Sequence, residues 1–567
     1  MIETLPQSAM EALEWPWQRF APAAEALLST PLTADNLESW MQHWSHFSRL
    51  LEEIYARLYI ATTADTTDVG AEARFNHYLD EIYPAFQTAE QQLIEKLLAS
   101  GLTPRNFSVP LRNLRTQSEL FRESNLPLLT HQKKLDNAYD QLVGAQTIAW
   151  DGQELTLPQL TPIFQDPDRS RRERAYRQSA GRWLQDRTAL NDLWVKLLDL
   201  RQEIAHNAGF ESFRDYRWRE LLRFDYTPAD CQRFHEAIEA VVVPAAGNRY
   251  EKRRQKLGLD SLRPWDTTVD PLSRPPLQPY QQIDELINRT QAMFSNVDPQ
   301  LGQYFQQMET GNLLDLENRK GKAPGGFCIS FPLAGSPFIF MNAVGLHEDV
   351  QTMLHEGGHA FHTFEIAGLP YYPQHKIPME FAEVASMAME LLAAPYLTQD
   401  QGGFYNPAQA ARARIEHLET SLLFWPYMAV VDAFQQWVYT HPEDARDPDE
   451  CDAHWSTLWD RFMPGIDFTG LEEHKATGWQ RKVHIFQEPF YYVEYGLAQL
   501  GAVQVWHNAR QDQAGAVAAY RRALALGGTA SLPELFRTAG AQFAFDVDTL
   551  SRAIQLMVAT IEELEQV

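Results

Sequence analysis

Helical periodicity is the feature that most limits the folds open to this chain. Residues 8–145 place apolar side chains three and four positions apart, which is the spacing of amphipathic helices. Helical segments return over residues 170–258, where Gly209 and Gly258 are expected to end helices, and again from residue 348 onward. The sequence therefore predicts a mainly α fold built from long helices.

Short stretches with a different pattern interrupt the helices. The alternation of residues 147–157 around Asp151-Gly152 predicts a small hairpin. Residues 262–280 hold five prolines, so this stretch is expected to be a loop or a connection. Residues 321–345 contain two apolar runs around a Gly-Ser-Pro turn, and they favour a β structure most clearly. This predicted sheet immediately precedes a histidine-rich segment.

Size and charge limit the possible partners. The chain has 567 residues, which is more than one hydrophobic core usually supports, so two or more domains or one lobed domain are expected. Its 75 acidic and 49 basic residues give a formal net charge of -26, which repels a phosphate backbone. No stretch approaches the roughly 18 uninterrupted apolar residues of a membrane helix. We therefore expect neither a nucleic acid nor a membrane as a partner.

The cysteines and the first thirty residues bear on the compartment. Cys231, Cys328 and Cys451 are odd in number and show no CxxC spacing, so no disulfide framework is expected. No motif pairs Cys328 with a histidine, which favours a small buried hydrophobe over a nucleophile. Residues 1–30 lack a basic segment before an apolar one, unlike a secretory signal peptide. These observations favour a cytoplasmic location.

The segment MLHEGGHAFHTFE, residues 353–365, holds three histidines and two glutamates. On a helix, His355 and His359 lie on one face about 6 Å apart, so their imidazoles can share one ion about 2.0–2.1 Å from each. Glu356 flanks that ion and can take a proton from a water molecule there. The spacing predicts a catalytic metal site with Glu356 as the general base.

Several residues compete to be the third ligand. His362 falls on the same helix face, but seven residues of straight helix span about 10.5 Å, so it is better placed to support the ligands or to contact substrate. Residues 378–397 offer Glu380, Glu383 and Glu390, and the small neighbours of Glu383 would let a second helix pack close. Two imidazoles and one carboxylate suit zinc, although cobalt or manganese could occupy the same ligands.

Gly357 and Gly358 lie inside this predicted helix, where each costs about 1 kcal/mol relative to alanine. Two explanations are equally open. Either another helix packs closely against them, or a backbone segment or the substrate approaches the metal at this point.

Beyond these residues, several motifs resemble the oligoendopeptidase F and thimet oligopeptidase family of zinc peptidases. The resemblance rests first on HEGGHAFH at 355–362, FAEVAS at 381–386 and HIFQEPFYYVEYGLAQ at 484–499. It extends to GKAPGGFCISFP, PFIFMN, LTPIFQDPDRSRRERAYR and ALALGGTASLPELFRTAG, and so covers most of the chain. The similarity implies an elongated, two-lobed helical body with a deep substrate channel and a small β-sheet beside the zinc-binding helix. We expect residues 1–190 to form an N-terminal helical lobe and residues 191–567 a catalytic domain with a C-terminal helical lobe.

The same resemblance implies a role for the metal-site residues. One zinc ion per chain would be held by His355, His359 and Glu383. Glu356 would act as general base and then as general acid.

A C-terminal segment is implied to lie over the metal and to donate hydrogen bonds to the developing oxyanion. His484, Tyr492 and Tyr495 are the matching residues. Val493 stands where the family often has a tyrosine, so Tyr491 competes with Tyr492 for this role. Neutral phenols are suitable donors to an oxyanion.

The expected function is that of a zinc oligoendopeptidase that hydrolyses internal bonds of short, unfolded peptides. An exposed edge on the predicted sheet would let an extended peptide add as a further strand. One alternative is a dipeptidyl carboxypeptidase of the same superfamily, and another is a peptide-binding protein without catalysis. The sequence leaves open whether the protein is a monomer or a homo-oligomer.

Overall fold

The computed structural model describes residues 5–323 and 325–567, and it confirms the prediction of a mainly helical chain. Upstream of the larger sheet the helices are α1 (Trp17–Ser29), α2 (Leu37–Ala64), α3 (Val69–His77), α4 (Tyr83–Ser100), α5 (Ser108–Leu120), α6 (Leu126–Gly144), α7 (Thr161–Phe164), α8 (Arg169–Gln185), α9 (Arg187–Asn207), α10 (Phe213–Glu220), α11 (Pro228–Lys256), α12 (Ile283–Val297) and α13 (Pro299–Thr310).

Helices also form most of the chain downstream of the sheet. They are α14 (His347–Ile366), α15 (Met379–Ala393), α16 (Pro407–Thr440), α17 (Pro442–Ala445), α18 (Pro448–Phe462), α19 (Glu472–Ala476), α20 (Val483–Phe486), α21 (Tyr492–Gln511), α22 (Gln513–Leu524), α23 (Leu532–Thr538) and α24 (Val547–Leu564).

The predicted helix ends are confirmed at two glycines. Gly209 follows α9 with φ of +89°, and Gly258 follows α11 with φ of +65°. Both lie in the left-handed region, which glycine enters without the steric cost that a Cβ brings. None of the helices in the described ranges is both long and apolar enough to span a membrane.

The predicted hairpin at residues 147–157 is present. Strands β1 (Thr147–Trp150) and β2 (Gln153–Thr156) pair antiparallel. Asp151 and Gly152 join the two strands with φ of +48° and +84°. A type I′ turn requires such a positive φ at both of its central residues.

A second sheet lies directly upstream of α14. Strands β4 (Phe327–Phe331) and β5 (Ser336–Ala343) form the hairpin that the two apolar runs predicted. A further strand, β3 (Leu314–Glu317), was not predicted; it pairs parallel with β5 and gives the order β3-β5-β4. Among the described residues, β4 is therefore an edge strand.

The buried apolar side chains form two main cores. One core joins helices of residues 5–114 and also includes Tyr371. The larger core extends from Leu135 to Ile561 and surrounds α14, α15, α16 and α21. The division of the chain at residue 190 stays a prediction.

Two cavities adjoin each other between these cores. One, of about 530 Å³, is lined by residues of α4, α5, α6 and α10. The other, of about 260 Å³, reaches Ile329 and Ser330 of β4. Glu52 and Lys376 line both cavities. The two cavities therefore form one groove that leads from α4, α5, α6 and α10 to the edge strand β4.

Candidate metal centre

Helices α14 and α15 bring together three residues with ligating atoms. His355 and His359 lie on α14 and Glu383 lies on α15, and one ligating atom from each lies within 4.8 Å of the other two. Glu383 Oε2 is 3.5 Å from His355 Nε2 and 3.8 Å from His359 Nε2. Two donors bound to one zinc ion lie roughly 3.3–3.6 Å apart, so this spacing fits an ion shared by all three.

The two glycines of α14 explain how the helices come so close. A Cβ atom on Gly358 would lie 2.4 Å from the backbone oxygen of Ala385 in α15. A Cβ atom on Gly357 would lie 2.4 Å from the ring of Phe294 in α12. Close packing is therefore the reason for both glycines, and it resolves the two explanations that the sequence left open.

Glu390 orients the first histidine. Its Oε1 lies 2.6 Å from His355 Nδ1, and its Oε2 lies 2.6 Å from His417 Nε2. Because an ionised carboxylate only accepts, His355 Nδ1 carries a proton and donates to Glu390. Nε2 faces Glu383 and is the atom that would bind a metal once it has released its own proton. The sequence did not indicate His417, although Glu390 lies on the same face of α15 as Glu383, seven residues away.

The third candidate carboxylate, Glu380, belongs to a different cluster. Tyr226 donates a hydrogen bond to it at 2.7 Å, and Arg223 Nε lies 3.8 Å from its carboxylate. Arg223 also contacts Glu494 at 2.6 Å. Glu380 is thus paired with Tyr226 and Arg223 rather than with the histidines.

The electrostatics of the cluster favour a bound cation. Burial opposes protonation of His355, but hydrogen bonds from its ring to Glu383 and Glu390 outweigh that cost and raise its pKa well above the usual value. Burial lowers the pKa of His359 to about 4, so this ring stays neutral and can act as a ligand.

Glu356 is buried beside the histidines. The residue is only 7% exposed, and burial raises the pKa of its carboxyl group to about 7. The backbone N–H of Cys328, in edge strand β4, is near enough to its carboxylate to offset part of this rise in pKa. A carboxylate in this position can take up and release a proton near neutral pH.

A group of aromatic residues from the C-terminal segment faces the cluster. The hydroxyl of Tyr491 donates to Glu383 Oε1 at 3.4 Å, and its ring lies 5.1 Å from that of Tyr495. The ring of His484 lies 5.8 Å from Tyr491 and 6.1 Å from Tyr495. Burial lowers the pKa of His484 to about 4 and raises that of Tyr495 to about 12, so both are neutral.

The position of Tyr492 differs from the expectation that it faces the metal. Its ring packs against Phe424 and Tyr427, and the ammonium of Lys482 lies 4.1 Å above it. Positions 491 and 495 are one helical turn apart and share a face, whereas position 492 is rotated by about 100°. The structure therefore places Tyr491, and not Tyr492, against Glu383.

Of the two other residues singled out in the sequence, His362 is buried and Cys328 is partly buried. His362 is 2% exposed and its ring packs against Phe381, an environment that does not suit the expected contact with substrate. Burial raises the pKa of the Cys328 thiol well above its usual value, which opposes a role as nucleophile.

Comparison with known proteins gives a consistent result along the chain. Residues 163–555 match Peptidase family M3, and residues 11–105 match the Peptidase M3 N-terminal domain. The oligoendopeptidase F homolog of Borreliella burgdorferi is 20% identical over 470 residues, which cover 80% of this chain and 76% of that protein.

Solved structures agree over the whole length. The structure of PZ peptidase A with inhibitor 2 is 26% identical, with a TM-score of 0.86 over 100% of this chain and 98% of its own. The structure of a putative oligoendopeptidase F is also 26% identical, with a TM-score of 0.85 over 99% of this chain and 98% of its own.

Proposed function

The chain belongs to peptidase family M3, and on that basis we propose that it is a cytoplasmic zinc-dependent oligoendopeptidase acting on short, unfolded peptides. The observation that carries the proposal is the cluster of His355, His359 and Glu383 with Glu356 beside it. One zinc ion per chain would be held by the two imidazoles and the carboxylate.

The donor set supports zinc. Two imidazole nitrogens and one carboxylate oxygen are a common catalytic set for this ion, and the Glu390 hydrogen bond fixes the tautomer of His355 that ligation requires. When bound, the ion supplies Lewis acidity at the scissile carbonyl and makes water a better nucleophile at neutral pH.

Glu356 carries the proton transfers in this proposal. It removes a proton from the attacking water and then delivers that proton to the nitrogen of the leaving amine. Its buried position beside β4 keeps it close to any backbone that pairs with this strand.

The aromatic segment supplies hydrogen-bond donors. When water attacks the scissile peptide bond of the substrate, the carbonyl oxygen gains negative charge. We assign Tyr495 and His484 as the hydrogen-bond donors that stabilise this charge. Tyr491 is the better candidate for a third donor because its hydroxyl already contacts Glu383. Tyr492 would instead hold His484 in place, since the two rings lie 5.1 Å apart.

The groove and the edge strand support the proposed substrate class. An extended peptide can pair its backbone with β4, and such pairing depends little on side chains. A folded protein cannot present an extended segment inside a groove between the two cores. We therefore propose internal cleavage of short, unfolded peptides with broad specificity.

The test is a digest of unfolded peptides of graded length, together with one folded protein, analysed by mass spectrometry. Internal cuts in the peptides only, lost with a chelator and regained with zinc, are expected. Serial loss of dipeptides from the C-terminus would favour a dipeptidyl carboxypeptidase instead. Binding without cleavage would favour a peptide-binding protein.

A variant pair separates the chemistry from the fold. Glu356→Gln should lower kcat at least about 100-fold while the zinc content stays near one per chain. Glu348→Gln, an exposed position on the same helix, is the matched control and should leave both unchanged. Loss of zinc in Glu356→Gln would contradict the assignment of Glu356 as the base.

A further inference from the structure

A third cavity lies apart from the groove and the metal residues. It has a volume of about 310 Å³ and is bounded by α8, α11, α16, α18 and residues 463–481. Six of the fourteen residues that line it are aromatic, namely Tyr176, Tyr250, Tyr427, Trp455, Trp459 and Phe468. Such walls favour a flat apolar group.

Buried N–H donors in this lining lack partners. Trp455 Nε1, Trp459 Nε1 and Arg481 Nε have no hydrogen-bond acceptor among the described residues. Trp455 is 0% exposed, so neither bulk solvent nor a molecule in the cavity reaches its indole N–H. Trp459 and Arg481 are only partly buried, and a small shift of these two side chains would bring their N–H groups, which only donate, to a molecule in the cavity that carries acceptors.

The charge of the lining also favours a ligand that carries hydrogen-bond acceptors. The charged residues in it are Lys475 and Arg481, and no carboxylate lines the cavity. Lys475 is neutralised by Asp460 at 2.8 Å. Arg481 donates to the backbone oxygen of His474 at 2.6 Å, but within the described ranges no carboxylate lies within ion-pair distance of it. A half-buried guanidinium without a counter-ion favours a bound anion.

From these three observations we propose that the cavity is a binding site for a small aryl carboxylate. The aromatic ring lies between the tyrosine and tryptophan walls, and the carboxylate accepts hydrogen bonds from Arg481 and, after a small shift of that side chain, from the indole of Trp459. A free aromatic amino acid and the C-terminal aromatic residue of a peptide share this chemistry. The site is distinct from the metal centre and does not depend on the proposed zinc chemistry.

Its position links it to the aromatic segment described above. Tyr427 lines the cavity, and its ring packs against Tyr492 with 5.9 Å between centroids. Tyr492 in turn lies 5.1 Å from His484. The ligand would thus sit two aromatic rings away from the predicted oxyanion donor.

Binding is tested on the full chain with 3-phenylpropanoate, followed by calorimetry and by tryptophan fluorescence. We expect one saturable site, with affinity at least about tenfold weaker for the neutral 3-phenylpropanamide and for propanoate, which lacks the ring. L-phenylalanine and the dipeptide Ala-Phe then distinguish the two sources, and tighter binding of either supports the site. Binding must persist after metal removal, because its loss would place the ligand at the metal centre and overturn the proposal.

Variants locate the ligand. Arg481→Gln and Trp459→Phe should each weaken binding at least about fivefold. Trp265→Phe is the matched control, because Trp265 Nε1 is also buried without a partner but the residue does not line the cavity. Should Arg481→Gln fail to fold, Trp459→Phe decides, since it keeps an aromatic ring. Equal affinity for acid and amide, unchanged affinity in Trp459→Phe, or no saturation at millimolar ligand would show a cavity that holds only water.

Discussion

Helix α15 contributes carboxylates to two charge clusters that are built in opposite ways. In the metal cluster, the side chains of His355 and His359 are 27% and 23% exposed, and Glu383 stays 3.5–3.8 Å from their Nε2 atoms. In the second cluster, Arg223 and Glu494 are 1% and 2% exposed and touch at 2.6 Å.

This difference distinguishes a candidate metal-binding site from a structural ion pair. Arg223 and Glu494 are in direct contact at 2.6 Å, so no further ion fits between them. The ligating atoms of His355, His359 and Glu383 instead lie within 4.8 Å of one another without such direct contact, a spacing that suits a shared ion. Residue type alone would not distinguish the two clusters, since both combine buried carboxylates with cationic or basic partners.

The largest effect should come from exchanging the carboxylates one turn apart on α15. Glu383→Ala should abolish metal retention and lower activity at least about 1,000-fold, because an anionic ligand is lost. Glu380→Ala should keep the metal in the folded protein, since its contacts are to Tyr226 and Arg223. Metal content by mass spectrometry and kcat are the measurements. Equal metal loss in both variants would break the comparison.

The second effect concerns the closed cluster. Arg223→Met should destabilise the protein by about 3–5 kcal/mol, because Glu494 would remain buried without its cation. Denaturant unfolding measures the change. Arg461→Met is the control: its pair with Glu239 is exposed, so less than about 1 kcal/mol is expected. A change equally small in Arg223→Met would show that the cluster does not hold the helices together.

The third effect sharpens the assignment of the tyrosines. Tyr495→Phe and Tyr491→Phe should lower kcat about 100-fold with little change in KM, as expected for donors used in the transition state. Tyr492→Phe should lower kcat by less than about fivefold, because its ring and not its hydroxyl makes the contacts observed. A larger loss in Tyr492→Phe than in Tyr491→Phe would restore the assignment favoured by the sequence.

The smallest effect should come from the support behind His355. His417→Ala removes the partner of Glu390 Oε2 and should weaken metal binding about 10- to 100-fold. Zinc titration against a competing chelator measures this affinity. His441→Ala is the control, because it alters an exposed histidine at the end of α16, the helix that carries His417. This change should leave the zinc affinity unchanged.

Much of the fold could be predicted because its signals are local. Helical periodicity, glycine stops and the Asp151-Gly152 turn each depend on a few neighbouring residues. Strand β3 could not be predicted in the same way. It has four residues, and its partner β5 lies about twenty residues downstream and pairs in parallel.

Site residues, too, could be predicted where the signal is local and not where it depends on contacts between distant segments. The four-residue spacing of His355 and His359 fixes a shared face without any tertiary information. The choice between Tyr491 and Tyr492 instead depends on where α21 begins, and Phe490, with φ of +67°, changes the chain direction just before it. His417 was missed because its contact with Glu390 joins α15 to α16, which no local pattern reveals.

The close approach of Gly358 to Ala385 bears on how such a centre could be moved or tuned. A side chain at position 358 would separate α14 from α15 and widen the gap between the histidines and Glu383 without altering a ligand. The affinity for the proposed metal would therefore be adjustable from a residue that has no functional group. Transplanting only the two histidines and the two glutamates into another helical scaffold would transfer the ligands and the base. It would not transfer the close spacing of the two helices that brings the ligands together.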